Sequence, residues 1–191
     1  MDNFYWPFEI DHVANYGYGL NIFNDEECDK IIELGNKNLE EATLAIQSDV
    51  IDYRISKIQF LPTGDDTDWI YRKLTDAVIS INQQCFKYDL SGFAEGLQFT
   101  KYESPGGKYD CHIDKLNGGK IRKLSISLQL SKSDDYEGGD FEVFLGGGVT
   151  KLKRTRGTLI FFPSYVLHEV TPVTKGTRFS LVAWVTGPNF K

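Results

Sequence analysis

The 191-residue chain has only three cysteines, Cys28, Cys85 and Cys111, and no two of them form a CxxC pair. An odd count without ligand spacing argues against a disulfide framework and against a cysteine zinc site, and favours a reducing compartment. No apolar run reaches the roughly 18 residues of a membrane-spanning helix. The opening Met1-Asp2-Asn3-Phe4 lacks the basic and apolar regions of a secretory signal. The expected location is therefore cytoplasmic, with no membrane partner. A basic excess is also missing. The formal net charge is −6, so no long-range positive field would gather nucleic acid, which is not an expected partner. Proline is scarce, at six residues against 18 glycines, a balance that suits a sheet-rich chain with many tight turns. Repeats and low-complexity segments are absent.

What is present is a hydrophobic fraction of 41%, enough for one substantial core at a length that buries roughly 70% of the unfolded surface. A single domain over 1–191 is expected, with helical support to about 94 and a β-rich core over about 95–187. Asn24 and Glu27 form a capping box, starting a helix whose Cys28, Ile31, Ile32 and Gly35 share a face. Strands are predicted over Glu41–Gln47 and Asp52–Leu61. A second helix is predicted over 67–87, carrying the stripe Ile70, Leu74, Ala77, Val78, Ile81 and Cys85. The period then changes from 3.6 to 2. Candidate strands are 97–103, 108–113, 122–130, 140–145, 149–153, 157–162, 166–172 and 177–186, separated by glycine-rich or polar turns. Eight short strands after two helices predict a mainly β chain with flanking helices (α+β). The expected architecture is a double-stranded β-helix, or jelly roll, with helices packed on one sheet. An ordinary β-sandwich competes.

Histidine is rarer still: three in the chain, two of them in the β-rich half. His112-Ile113-Asp114 places an imidazole and a carboxylate on one face of a strand. His168, on a later strand, is a candidate third ligand. Two imidazoles and a carboxylate on one octahedral face suit Fe(II) and leave three positions open. The tripeptide alone is a weak signal, because His or Asp on a strand is more often solvated or hydrogen-bonded. Arg178 adds weight. Alternation puts it on one face with Ser180, Val182 and Trp184, and an inward guanidinium is costly unless it meets an anion. Ser125, Ser127 and Gln129 share a face, with Leu124, Ile126, Leu128 and Leu130 on the other.

These residues carry a specific resemblance. The run Gln98–Asp114, with Tyr102, Gly107, Tyr109, His112 and Asp114, resembles the prolyl 4-hydroxylase group of 2-oxoglutarate oxygenases. So do Gly138-Gly139, His168-Glu-Val-Thr-Pro-Val, Gly176, Arg178 and Trp184, which are similar to bacterial and phage members. The likeness covers about 95–187. It implies that His112, Asp114 and His168 bind Fe(II), and that Arg178 holds the distal carboxylate of 2-oxoglutarate. It places Tyr102 near that co-substrate and Trp184 on the same pocket. Gln129 stands where animal sensor-type members often have Tyr, and its amide can still donate; Ser127 lines the pocket beside it. The implied reaction uses O2, releases succinate and CO2, and takes ascorbate as a reductant. Asp114 favours hydroxylation, since related halogenases replace that carboxylate. The expected substrate is a prolyl residue in a protein or peptide, with Tyr109 and Arg54 as substrate contacts. Alternatives are another amino acid, a small metabolite, or a non-catalytic jelly-roll binding module. The sequence leaves the oligomeric state open.

Other features are read more plainly. The basic run Lys151–Arg156 is expected to protect a solvated strand edge. Cys111 is expected to point away from the ligand face and to pack. His12 has no ligand spacing, and Tyr5, Trp6 and Phe8 are expected to close a sheet edge.

Overall fold

The computed structural model describes residues 13–42, 53–114, 116–117 and 119–189. His12, the Tyr5-Trp6-Phe8 cluster and the greater part of the predicted strand 41–47 lie outside them. In chain order the elements begin with β1 (Gly17–Gly19), α1 (Asp25–Gly35), β2 (Glu40–Glu41), β3 (Arg54–Ile55), β4 (Lys57–Leu61) and α2 (Asp68–Ile81). β5 (Gly92–Phe93), β6 (Leu97–Glu103), β7 (Lys108–His112), β8 (Leu116–Asn117), β9 (Lys120–Gln129) and β10 (Tyr136–Gly138) follow. β11 (Phe141–Phe144), β12 (Val149–Lys151), β13 (Leu159–Pro163), β14 (Leu167–Val170) and β15 (Val173–Thr186) complete the set. No helix among the described residues is long and apolar enough to cross a membrane.

The strands form two sheets facing one another. The larger runs β1-β13-β9-β15-β6-β4-β2, with β5 and β10 on β15 and β8 on β9; the smaller runs β12-β11-β14-β7-β3. This is the expected jelly roll. The period-2 alternation of the larger sheet separates two cores. Leu124, Ile126 and Leu128 of β9, Leu159 and Phe161 of β13, and Leu181, Ala183 and Val185 of β15 pack outward against α1 and α2. Ile160 and Phe162 face inward and join Tyr102, Phe141, Val143 and Val170 between the sheets. The helices thus cover one sheet, leaving the space between sheets for a site.

Helix α1 starts where expected. Asn24 accepts from the Glu27 amide and Glu27 accepts from the Asn24 amide, both at 2.9 Å. At its end Gly35 lies directly against Phe99 of β6, so closely that a Cβ there would come within 2.2 Å of a ring carbon. Gly35→Ala would gain about 1 kcal/mol of helix propensity, but overpacking costs about 1–3 kcal/mol. With ring atoms in the way the second effect wins. A fall in the urea midpoint worth about 1–2 kcal/mol is expected from denaturation curves; an unchanged midpoint would contradict this packing.

Three expectations need correction. The predicted helix 67–87 ends at Ile81 and continues as a wider π-helical turn over Asn82–Phe86, closed by Lys87 in the left-handed region at φ 54°. The widening brings Phe86 into the core at 2% exposure. It also lets the Ala14 amide reach the Cys85 carbonyl, so packing overrides the regular stripe. The predicted strand Asp52–Leu61 divides at Ser56, β3 joining the smaller sheet and β4 the larger. Buried Ser56 anchors this crossing by accepting from Arg54 Nε at 2.9 Å and, through its carbonyl, from the Ala42 amide.

The basic run is the third. β12 is an edge strand, and Lys151 there pairs with Asp140 and Glu142. Beyond Lys151 the strand stops, however, and the arginines act as internal clamps. Arg154 reaches Asp140 and the carbonyls of Ser133 and Tyr136, while Arg156 ties the Leu130 carbonyl to Asp25 and Asp29 of α1.

Candidate active site

Antiparallel pairing of β14 with β7 sets His168 opposite His112. The next partner of β14, Val170, meets Tyr109 rather than Asp110, so β7 carries one extra residue. Such a bulge re-aims side chains. It brings Tyr109, three residues back, onto the same face as His112, their rings stacked with centroids 3.6 Å apart. Cys111 is turned outward, as expected, where its thiol donates to Glu169 at 3.0 Å. Burial and that carboxylate push the thiol up to about 11, so it is not a reactive group.

Asp114 follows just beyond β7, its amide held by the Ser164 carbonyl. The ligand atoms of His112, Asp114 and His168 all lie within 4.8 Å of one another. Each imidazole uses Nδ1 on a backbone carbonyl: Asp110 for His112 at 2.7 Å, Val166 for His168 at 2.9 Å. A carbonyl only accepts, so Nδ1 carries the proton and the Nε2 lone pair is free. Both Nε2 atoms point at Asp114, at 3.8 and 3.6 Å from its oxygens. Burial, and then the neighbouring His168, hold His112 down to about 4, leaving it neutral near pH 7. Burial would raise Asp114, but the two histidines and Ser125 outweigh it and the carboxyl stays below its usual range. Ser125 donates to Asp114 at 2.8 Å and meets Ser164 at 2.9 Å. A carboxylate and two imidazoles, each with Nδ1 engaged by a backbone carbonyl, converge on one point, a donor set that fits a divalent iron.

Arg178 lies on the inner face of β15, paired with Tyr102 of β6, and is 1% exposed. Its partners are neutral: Nη2 donates to Gln129 Oε1 at 3.0 Å and Nη1 to Ser180 at 3.3 Å. The Gln129 amide in turn donates to Ser127 at 3.2 Å, and the Tyr102 ring lies 5.3 Å from the guanidinium carbon. Nε is sealed without a partner. No carboxylate pairs with this cation among the described residues, so the site fits an incoming carboxylate. Gly139, with a φ of 59° that favours glycine, passes so near that a Cβ would meet Arg178 Cδ at 3.2 Å.

Trp184 lies on the inner face of β15 with Arg178, toward the other end of the strand. It sits six residues further along the same face, opposite Ser125 and beside Asp114. Its indole N–H is buried near that carboxylate without reaching regular hydrogen-bond geometry. Over its ring, at 3.6 Å, lies the Arg122 guanidinium, which also pairs with Glu95 at 2.8 Å and stands 4.0 Å from Asp114. Arg122 and Glu95 were not among the expected site residues. Plain alternation assigns Arg122 to the helix-facing side with Leu124. An irregularity in the β9–β15 pairing, between Val185 and Thr186, brings it to the inner face instead.

Residues 97–186 match the 2OG-Fe(II) oxygenase superfamily. The chain carries a 2OG-Fe(II) oxygenase domain. That family implies Fe(II), 2-oxoglutarate and O2, and His112, Asp114 and His168 could hold the metal. Among curated relatives, a PKHD-type hydroxylase of Burkholderia ambifaria is 38% identical over 93 residues, covering 46% of this chain and 40% of the relative. One of Acaryochloris marina is 39% identical over 90 residues, covering 47% and 41%. The oxygenase domain therefore aligns with about two fifths of the length of these relatives.

Solved structures share its fold. A Pseudomonas putida prolyl-4-hydroxylase superposes with a TM-score of 0.70 at 23% identity, covering 92% of this chain and 94% of that one. A Trichoplax adhaerens prolyl hydroxylase, in complex with a hypoxia inducible factor peptide, gives 0.76 at 17%, covering 91% and 84%. A viral collagen prolyl hydroxylase of Paramecium Bursaria Chlorella virus-1, in its 2-oxoglutarate complex, gives 0.67 at 23%, covering 92% and 97%.

Proposed function

We propose that this oxygenase hydroxylates a prolyl residue in a protein or peptide, with release of succinate and CO2. The observation that carries the reading is the buried, carboxylate-free Arg178 on the inner face whose other end borders a His-Asp-His cluster. Its distance from water and its neutral partners favour a dicarboxylate co-substrate over a structural ion pair.

The residues divide the work. His112, Asp114 and His168 would hold Fe(II) on one side, leaving the remaining positions open. Arg178 would grip the distal carboxylate of 2-oxoglutarate, with Gln129 and Ser180 fixing the guanidinium and Tyr102 packing beside it. When bound, metal and co-substrate supply the oxidising chemistry that inserts one atom of O2 into a C–H bond. The protein's share is to position the target and exclude water. Tyr109, stacked on His112, and Trp184, beside Asp114 and beneath Arg122, bring aromatic surface up to the cluster. A prolyl pyrrolidine ring is compact, apolar and carries no N–H donor, which suits aromatic surroundings.

The direct test incubates the Fe(II)-loaded protein with 2-oxoglutarate and a panel of proline-bearing peptides. Expected is succinate formation coupled to a mass gain of one oxygen atom located on proline. Succinate release that no peptide accelerates, with no oxygen found on proline, would overturn the prolyl reading.

A further inference from the structure

Arg122 and Glu95 form a largely buried ion pair next to the ligands, with no part so far in holding metal or co-substrate. Glu95 accepts from Arg122 Nε at 3.0 Å and lies 2.8 Å from its Nη2, so one edge of the guanidinium is fixed. The guanidinium carbon lies over the indole of Trp184, 3.6 Å from the ring centre. The link returns through the backbone, where the amide of Ala94, beside Glu95, donates to the Trp184 carbonyl at 2.8 Å. Trp184, Ala94, Glu95 and Arg122 thus close a circuit around one indole. That indole carries an N–H that is buried, lies beside the Asp114 carboxylate and has no hydrogen-bond partner.

An ion pair that only tied the β5–β6 link to β9 would need Glu95 and Arg122 alone. It would not call for an aromatic ring beneath the cation, nor leave an indole N–H without an acceptor. A buried donor in that state is costly and calls for an explanation. The Asp114 carboxylate supplies one. Its Oδ2 already accepts from Ser125 at 2.8 Å, and a carboxylate that ligates a metal relies on such partners to hold its angle. Arg122 itself stops short, with Nη1 at 4.0 Å from Oδ1, beyond hydrogen-bond reach. Its influence on the carboxylate therefore runs through Trp184. A cation over an indole fixes the ring plane and makes the N–H a stronger donor.

We propose that Arg122 and Glu95 are positioning residues for the metal site: they hold Trp184 so that its indole N–H meets Asp114 when that carboxylate ligates Fe(II). This rests on His112, Asp114 and His168 being the ligands and is independent of the prolyl substrate. Charge alone would act the other way, since a cation beside a ligating carboxylate repels a divalent ion. Glu95 offsets that charge, which leaves geometry as the contribution of the pair.

The test has two readouts. Nuclear magnetic resonance of isotope-labelled protein follows the indole N–H of Trp184, identified by its loss in Trp184→Phe. In wild type that resonance should move downfield when Zn(II) is added; a resonance that stays in place overturns the proposal without recourse to any other variant. Metal affinity is read by titrating Co(II) and following its visible ligand-field bands. Trp184→Phe keeps an aromatic ring without the N–H, and Arg122→Lys keeps the charge without the flat fork. Each should weaken Co(II) binding about tenfold, as loss of a partner to a ligand does. The double variant should bind no more weakly than Trp184→Phe, because the two residues act in series. A merely structural role for Arg122 would lower the melting temperature and leave Co(II) affinity and bands unchanged, or would add its effect to that of Trp184→Phe. A role through charge alone would leave Arg122→Lys like wild type. Any of these results overturns the proposal. If wild type binds no Co(II), the ligand assignment falls and this inference falls with it.

Discussion

Fe(II) affinity in His112→Ala is expected to fall at least about a hundredfold, and hydroxylation to be lost with it. Changes to residues that merely orient ligands typically cost 10- to 100-fold in affinity or activity; loss of a ligand should match or exceed the upper figure. The geometry makes His112 a donor rather than a core residue. Its Nδ1 is committed to the Asp110 carbonyl, and its Nε2 is aimed at Asp114. Ser125→Ala supplies a graded control. It removes one hydrogen bond from the Asp114 carboxylate but no ligand, and should weaken Fe(II) by about tenfold. Anaerobic calorimetric titration of Fe(II) into wild type and both variants decides the matter. Comparable Fe(II) affinity and turnover in His112→Ala and wild type would refute the assignment of the ligands.

The His-Asp-His cluster and the inner-face position of Arg178 were legible in the sequence because they obey simple periods. His112 and Asp114 are two apart, and Arg178, Ser180 and Trp184 keep the face that alternation assigns. The two-core arrangement was legible too, since β9 alternates Leu124, Ile126 and Leu128 with Ser125, Ser127 and Gln129. What escaped were departures from period. Tyr109 reaches His112 through a bulge that no residue type announces, since Asp110 and Cys111 are ordinary strand residues. Arg122 reaches Trp184 through an irregularity set by pairing with β15, a long-range property. The break at Ser56 was hidden for the same reason: Tyr53 to Leu61 alternates as one strand should, while two different sheets claim its halves. Short strands such as β1 and β10 exist because a neighbour offers free backbone groups, which local propensity does not reveal.

Arg178→Met is expected to separate co-substrate binding from stability. Methionine roughly preserves the volume and removes the charge, so the comparison isolates the guanidinium. Truncating one partner of a buried charge pair costs about 2–5 kcal/mol in binding, so 2-oxoglutarate affinity should fall by at least about thirtyfold. Fe(II) affinity should change little, because Arg178 makes no contact with the three ligands. The stability of the protein without co-substrate should be equal or higher. In that state the cation is 1% exposed and meets only the neutral oxygens of Gln129 and Ser180, and replacing an uncompensated buried charge with an apolar group is favourable. Thermal melting with and without 2-oxoglutarate reads both effects. At a hundredfold excess over Kd a ligand stabilises the wild type by about 2.7 kcal/mol, and that gain should be largely lost in the variant. The opposite pattern, a destabilisation of about 3–5 kcal/mol as for a broken buried ion pair, with 2-oxoglutarate affinity intact, would make Arg178 a structural residue and remove the main support for the proposed chemistry.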